Sequence, residues 1–180
     1  TNIILTNANA YVLGSTLDSA GNVVIDASDT STINAAVATV SAAVAGGAAG
    51  IGGSIGASVA RNFIGWDLFG NRTPAQVQAY IKGSSIQAGG DLIQTADAVE
   101  TINATVLAGS VAISAGAVAG AASGAGASAE NKVATQVKSY IENTTGAGVN
   151  AAGDITLTAH DVSSISTTVG AASMAAAVGY

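Results

Sequence analysis

The chain holds one histidine, His160, followed by Asp161 in the stretch "TAHDVS". A hydrolytic centre around it would need a nucleophile on an elbow such as GxSxG, and a zinc site would need further nitrogen or sulfur ligands. Neither companion is in the sequence, which has no cysteine and no second histidine. His160 therefore reads as a turn residue after a strand. Two other copies of the same segment carry Ser28-Asp29 and Asp97-Ala98 there. The carboxylates with a recurring place are Asp91 and Asp154, each preceded by glycine, with Asn22 in the matching place of a first copy. Stacked, they would form a ladder or hold Ca2+ weakly, and no other cofactor is expected. Calcium takes several oxygens at once, and the glycine-aspartate nonapeptide of calcium-binding β-rolls is absent. Gly-Asp and Gly-Asn ordinarily make turns.

The stretch "RNFIGWDLFGNRTP", Arg61–Pro74, differs from the rest of the chain. It contains the only tryptophan, both phenylalanines, both arginines and the only proline. Arg61, Phe63, Trp66, Phe69 and Arg72 form a candidate contact site, because Trp, Phe and Arg anchor interfaces. The partner would be a glycan, a protein or a neighbouring filament. The competing reading is a loop that folds back to shield an open face, since exposed aromatics call for cover. Asn71, Asn103 and Asn143 open N-x-Thr triplets, which arise by chance in so Thr-rich a chain.

Composition narrows the remaining classes. Charged residues are 9% of the chain and the net charge is −6. That argues against nucleic acid, whose phosphates require clustered Lys and Arg. It also argues against an enzyme such as a polysaccharide lyase on a β-helix, which would need charges gathered in one groove. Aromatics are 4% while Gly is 23 of 180 residues, so the chain suits thin, closely packed layers better than a thick core.

The elements that would position these residues repeat. "STLDSAGNVVIDASD", "SSIQAGGDLIQTAD" and "AGVNAAGDITLTAHD" are three versions of one segment. Tyr11, Tyr80 and Tyr140 mark the copies, as do Ile33, Ile102 and Ile165, and Asn62 and Asn131 close the two complete long segments. Copies one and two align without a gap from Ala10 to Asn62. Copy one then carries nine extra residues, and copy three carries three extra around Thr144–Gly146. The boundaries are residues 1–78 for repeat 1, with the insertion at 63–74, then 79–138 for repeat 2 and 139–180 for a partial repeat 3. The pattern starts and stops part-way, so the chain reads as a piece of a longer repeat protein, and no basic-apolar signal segment opens it.

Each repeat has a β half, with period-two alternation in "VATQVKSYIENT" and "GDITLTAHD". Each also has an uncharged small-residue half, Ser31–Ala60 and Thr101–Ala129. Ile33, Val37, Val40 and Val44 fall at helical spacing, with Gly46-Gly47 as a stop. Ile33, Ala35 and Val37 also fit a strand. The glycines from Gly46 to Gly56 rule out a long helix, since each would cost about 1 kcal/mol relative to Ala. The fold expected is a β-rich solenoid, β-helix-like, with one short Ala/Gly-rich helix per repeat as a second layer. Gly116, Gly120 and Gly124, and the pairs Gly46/Gly50 and Gly52/Gly56, keep a rival open. Small-xxx-small helices pack closely in lipid, as in a membrane-inserting toxin or pore segment.

The "AGGDL" and "AAGDI" turns, the "AYI" and "SYI" strands and the small-residue run ending in Asn carry a resemblance over nearly the whole chain. It resembles the repeat region of large bacterial exported adhesins of the filamentous-haemagglutinin and leukotoxin-like type. The resemblance implies an extracellular or cell-surface filament used for adhesion, assembling with copies of itself or neighbouring repeats. The haemagglutinin pattern has no long Ala/Gly insert, and here this chain departs from a plain triangular β-helix.

Overall fold

The structure, a computed structural model, describes residues Thr1–Tyr180. The chain is all-β. It runs through β1 (Asn2–Ile4), β2 (Asn7–Leu13), β3 (Thr16–Ser19), β4 (Val23–Gly46), β5 (Ala49–Ile64), β6 (Ala75–Lys82), β7 (Ser85–Ala88), β8 (Leu92–Gly116), β9 (Val118–Val133), β10 (Thr135–Glu142), β11 (Val149–Ala151) and β12 (Ile155–Gly179). All pairing between strands is parallel, and each strand pairs with its equivalent one repeat away. The sheets are β1-β5-β9, β10-β6-β2, β11-β7-β3 and β12-β8-β4. The chain thus winds as stacked coils of a β-solenoid. Parallel strands need long connections, and here each connection is the rest of a coil.

Register follows the repeat. Tyr11 stands opposite Tyr80 and Tyr80 opposite Tyr140. Ile33, Ile102 and Ile165 share one column. The three extra residues of the third copy sit at the corner between β10 and β11, where Asn143, Gly146 and Gly148 all have positive φ. In the earlier coils Gly14 (φ 57°) and Gly83 (φ 60°) make the matching corner, and Asn143 (φ 51°) fills the third place. A left-handed corner selects Gly first and Asn next.

Each coil has two parts. Its first part is three-walled, enclosed by the β2 and β3 sheets and the opening residues of β4 and their equivalents. Alternate side chains point in and build the core: Val23, Ile25, Val77, Ile81, Ile86 and Leu92 are among its buried members. At the mouth of this chamber a second cluster, Ile33, Ile64, Ala75 and Ile102, closes it off. Beyond Ile33 and Ile102 the long strands run on and double back as β5 and β9. The two layers meet face to face as a thin wing.

The inside of the wing is small and partly polar. Hydroxyl pairs Ser41–Ser54 (2.8 Å), Thr39–Ser58 (2.7 Å) and Ser110–Ser123 (2.6 Å) join its layers. Backbone approaches backbone so closely that a Cβ on Gly50 would lie 2.6 Å from the Ala115 carbonyl oxygen, and one on Gly56 would collide with that of Gly109. The glycines serve this contact.

The helical second layer is therefore a correction. Residues Ile33–Val44 lie within β4, and no helix forms anywhere in the chain. The apparent helical spacing splits across two faces: Ile33 is buried and Val37 half-buried, while Val40 and Val44 point out at 82% and 81% exposure. Pairing with β8 along its whole length satisfies the backbone of β4 and outweighs the helix propensity of its alanines. Gly120 and Gly124 likewise lie in strand β9, and Gly116 ends β8.

Candidate functional site

The extra residues of copy one leave the stack between β5 and β6. Phe63 and Ile64 still pair with Lys132 and Val133, and pairing resumes at Ala75 opposite Thr135. The chain turns out at Gly65 (φ 71°), where a Cβ would run into the Ala134 carbonyl. The Gly65 amide donates to the Ile4 carbonyl (2.9 Å) and so ties the loop's base to the first coil. An antiparallel bridge between Trp66 and Arg72 closes the loop. Its tip is organised by Asp67, whose carboxylate accepts from the amides of Phe69 (2.9 Å) and Asn71 (2.8 Å) and from Asn71 Nδ2 (2.7 Å). The Asn71 hydrogen bonds, followed by those of the loop amides, hold the Asp67 carboxyl below its usual range.

Below the tip lies a charged and aromatic cluster. Lys132 Nζ sits 5.2 Å from the Phe63 ring centre and 5.1 Å from that of Trp66, in cation–π geometry. The same ammonium pairs with Glu130 (2.7 Å), which also meets Arg61 (3.3 Å). The Lys132 hydrogen bond, with the Lys132 and Arg61 charges behind it, keeps Glu130 below the ordinary carboxylate range. Arg61, Phe63, Leu68, Phe69, Glu130 and Lys132 line an open groove of about 250 Å³. Phe63 is buried and Phe69 is 88% exposed at the tip.

Of the candidate residues, Arg61, Phe63 and Phe69 line this groove, and Trp66 joins them through Lys132. Arg72 stands apart as the backbone partner of Trp66 and is exposed. Glu130 and Lys132 belong to the site although sequence reasoning passed over them. Their signal was available: they are the copy-two equivalents of Arg61 and Phe63. The assembly has anchors and opposite charges suited to binding. A groove mixing exposed Phe69 with Arg61, Glu130 and Lys132 can take a ligand with both apolar and polar faces.

The repeat-marking residues form ladders. Tyr11, Tyr80 and Tyr140 stack with ring centres 5.1 Å apart at each step. Asn62 Nδ2 donates to Asn131 Oδ1 (2.7 Å), and Asn2 extends the ladder by donating to Asn62 Oδ1 (2.8 Å). In the turn column, Asn22 Oδ1 accepts the Asp91 amide (2.8 Å) and Asp91 Oδ1 accepts the Asp154 amide (3.0 Å). These oxygens are used to tie one coil to the next. His160 stands across from Asp97, with Nδ1 3.9 Å from the carboxylate; His160 is exposed and Asp97 half-buried.

One ionisable residue that the sequence reading left out lies inside the stack. Glu100 is fully buried in a column with Ser31 and Ser163. Ser163 Oγ donates to Oε2 (3.3 Å), while Oε1 has no partner. Asp29 and Asp161 flank it one coil to either side, held by Thr6 and Ser31 and by Thr135 and Ser163 respectively. Burial, then the Asp161 charge, with Asp29 adding less, pushes the Glu100 carboxyl up to about 7 against the single Ser163 hydrogen bond. No protein-family model, no curated protein and no solved structure matches this chain.

Proposed function

We propose that the chain is a structural and adhesive repeat segment of a large extracellular bacterial protein, a stiff rod that presents binding surfaces. It is not an enzyme. The observation that carries this reading is where the register breaks. The coils stack residue on residue, and the long excursion from the stack is also the place that gathers Arg61, Phe63, Trp66 and Phe69 around a groove. A rod whose strands bond from coil to coil keeps such a loop at a fixed height and orientation. The groove's partner is a host or matrix glycan or protein. The other partners are neighbouring repeats, which the open strand edges at both ends of the stack can extend. Nucleic acid is not a partner for a chain of net charge −6.

Beads coated with the 180-residue chain should adhere to epithelial cell monolayers, and Phe69→Ser should lower adhesion at least fivefold. Equal adhesion of the two chains, or none by either, contradicts the reading. The uncharged wing favours a second reading, a membrane-active segment. No helix is long and apolar enough to cross a membrane, so insertion would have to use strands. Recovery of the chain with phosphatidylcholine vesicles on flotation, without detergent, would favour that alternative.

A further inference from the structure

The groove under the insertion loop differs in charge from the rest of the rod. Arg61, Arg72 and Lys132 against Asp67 and Glu130 sum to +1. The rest of the chain holds Lys82 and Lys138 against nine carboxylates, or −7, and the two sums give the −6 of the whole. Within the groove the charges are unevenly used. Glu130 takes Lys132 Nζ closely, at 2.7 Å, and meets Arg61 only at Nε, 3.3 Å away. Lys132 is further occupied by the Phe63 and Trp66 rings. No hydrogen bond within the chain engages the terminal amino groups of Arg61, and 51% of its side chain is exposed. They form a free fork of the kind that matches a carboxylate. The same groove is lined by Leu68 and by Phe69, whose ring stands open to solvent. The loop's backbone, in contrast, is closed on itself. The amides of Asp67, Phe69, Gly70 and Asn71 are all engaged between residues 67 and 71. They are not free for the main-chain pairing that binds an extended peptide, so recognition falls to a guanidinium and an aromatic ring.

We propose that the groove binds a uronic acid residue of a glycan, with its carboxylate on the terminal amino groups of Arg61 and one face of its ring on Phe69. This rests on the adhesive reading and names the chemistry of its ligand. A pyranose carrying its carboxylate at the ring edge offers both features that the groove can use. The C–H groups of a sugar face carry partial positive charge, which the negative face of an aromatic ring attracts. The volume of about 250 Å³ lies below the range of pockets that enclose whole small-molecule ligands. It therefore takes a single ring and leaves the remainder of the glycan in solvent. The −7 of the surrounding rod repels an acidic glycan elsewhere, which confines the contact to this loop.

Trp66 is the only tryptophan and lies in the site, so its fluorescence reports occupancy, with equilibrium dialysis as the check. The probe is trigalacturonic acid, whose axial 4-hydroxyl groups leave three C–H groups together on one face of each ring. It should bind the 180-residue chain saturably. Its methyl ester keeps the rings and loses the charge, and should bind at least tenfold more weakly. Arg61→Lys keeps the charge and loses the fork, and should weaken trigalacturonate at least tenfold. Phe69→Ser should weaken it at least fivefold. Absence of binding, equal binding of acid and ester, or equal binding by the native chain and Arg61→Lys would overturn the proposal. So would triglutamate binding as tightly as trigalacturonate, which would assign the groove to acidic peptide. Cell adhesion that depends on Phe69 without any trigalacturonate binding would overturn this ligand alone and leave the adhesive reading standing.

Discussion

At the scale of single residues the stack is held by columns, and each column's strength depends on what its members share. Tyr80 stacks on two neighbours and Tyr11 on one. An aromatic stack adds about 0.5–1.5 kcal/mol beyond burial, so Tyr80→Ala should lower stability in urea by roughly twice as much as Tyr11→Ala. Glu100 is the opposite case, a carboxyl placed among serines and between two aspartates. Its folded pKa, raised to about 7, lies above the unfolded value near 4.5. The folded state then binds its proton more tightly, so this group's contribution is complete below about 4.5 and is lost as pH climbs through 7. The urea midpoint should fall between pH 5 and pH 8. Glu100→Gln should flatten that fall and raise stability at pH 8 by about 1–3 kcal/mol. The tyrosine column was legible because Tyr is rare here and recurs with its neighbours. Glu100 was not, because one glutamate in a sequence looks like a solvated charge. Only its alignment with Ser31 and Ser163 reveals that it points inward.

At the scale of elements, the β halves were legible from period-two alternation and Gly-Asx turns, and the small-residue halves were not. In β4 the valines switch faces between Val37 and Val40, and both faces of a thin wing accept apolar residues, so alternation of polarity disappears. Size distinguishes the faces instead along β5, where Gly50, Gly52, Ser54 and Gly56 point in and Ile51, Ile55 and Val59 point out. Two alanine substitutions separate the roles. Gly56→Ala drives a Cβ onto the Gly109 carbonyl and should destabilise by about 1–3 kcal/mol, as overpacking does. Gly53→Ala faces open space and should stabilise by about 0.5–1 kcal/mol through lower unfolded-state entropy. Chemical unfolding of the pair measures the difference. The candidate contact site was half legible. The insertion announced itself by composition, but Glu130 and Lys132 reach it from the neighbouring coil, which local sequence does not disclose.

At the scale of the whole molecule, each coil supplies a wall that the next one needs, so stability should grow with coil number. Duplicating residues 79–138 should lengthen the particle by about 4.8 Å in small-angle scattering and raise the urea midpoint. A duplicate that unfolds independently, with no rise, would mean that repeats do not share an interface. The central claim, that the three copies lie on one another in register, has a more direct test in the tyrosine rings. With ring-labelled tyrosine, nuclear Overhauser spectra should show Tyr80 ring protons in contact with both Tyr11 and Tyr140, and no contact between Tyr11 and Tyr140. Cross-peaks from Tyr80 to neither ring would contradict the stack and everything built on it.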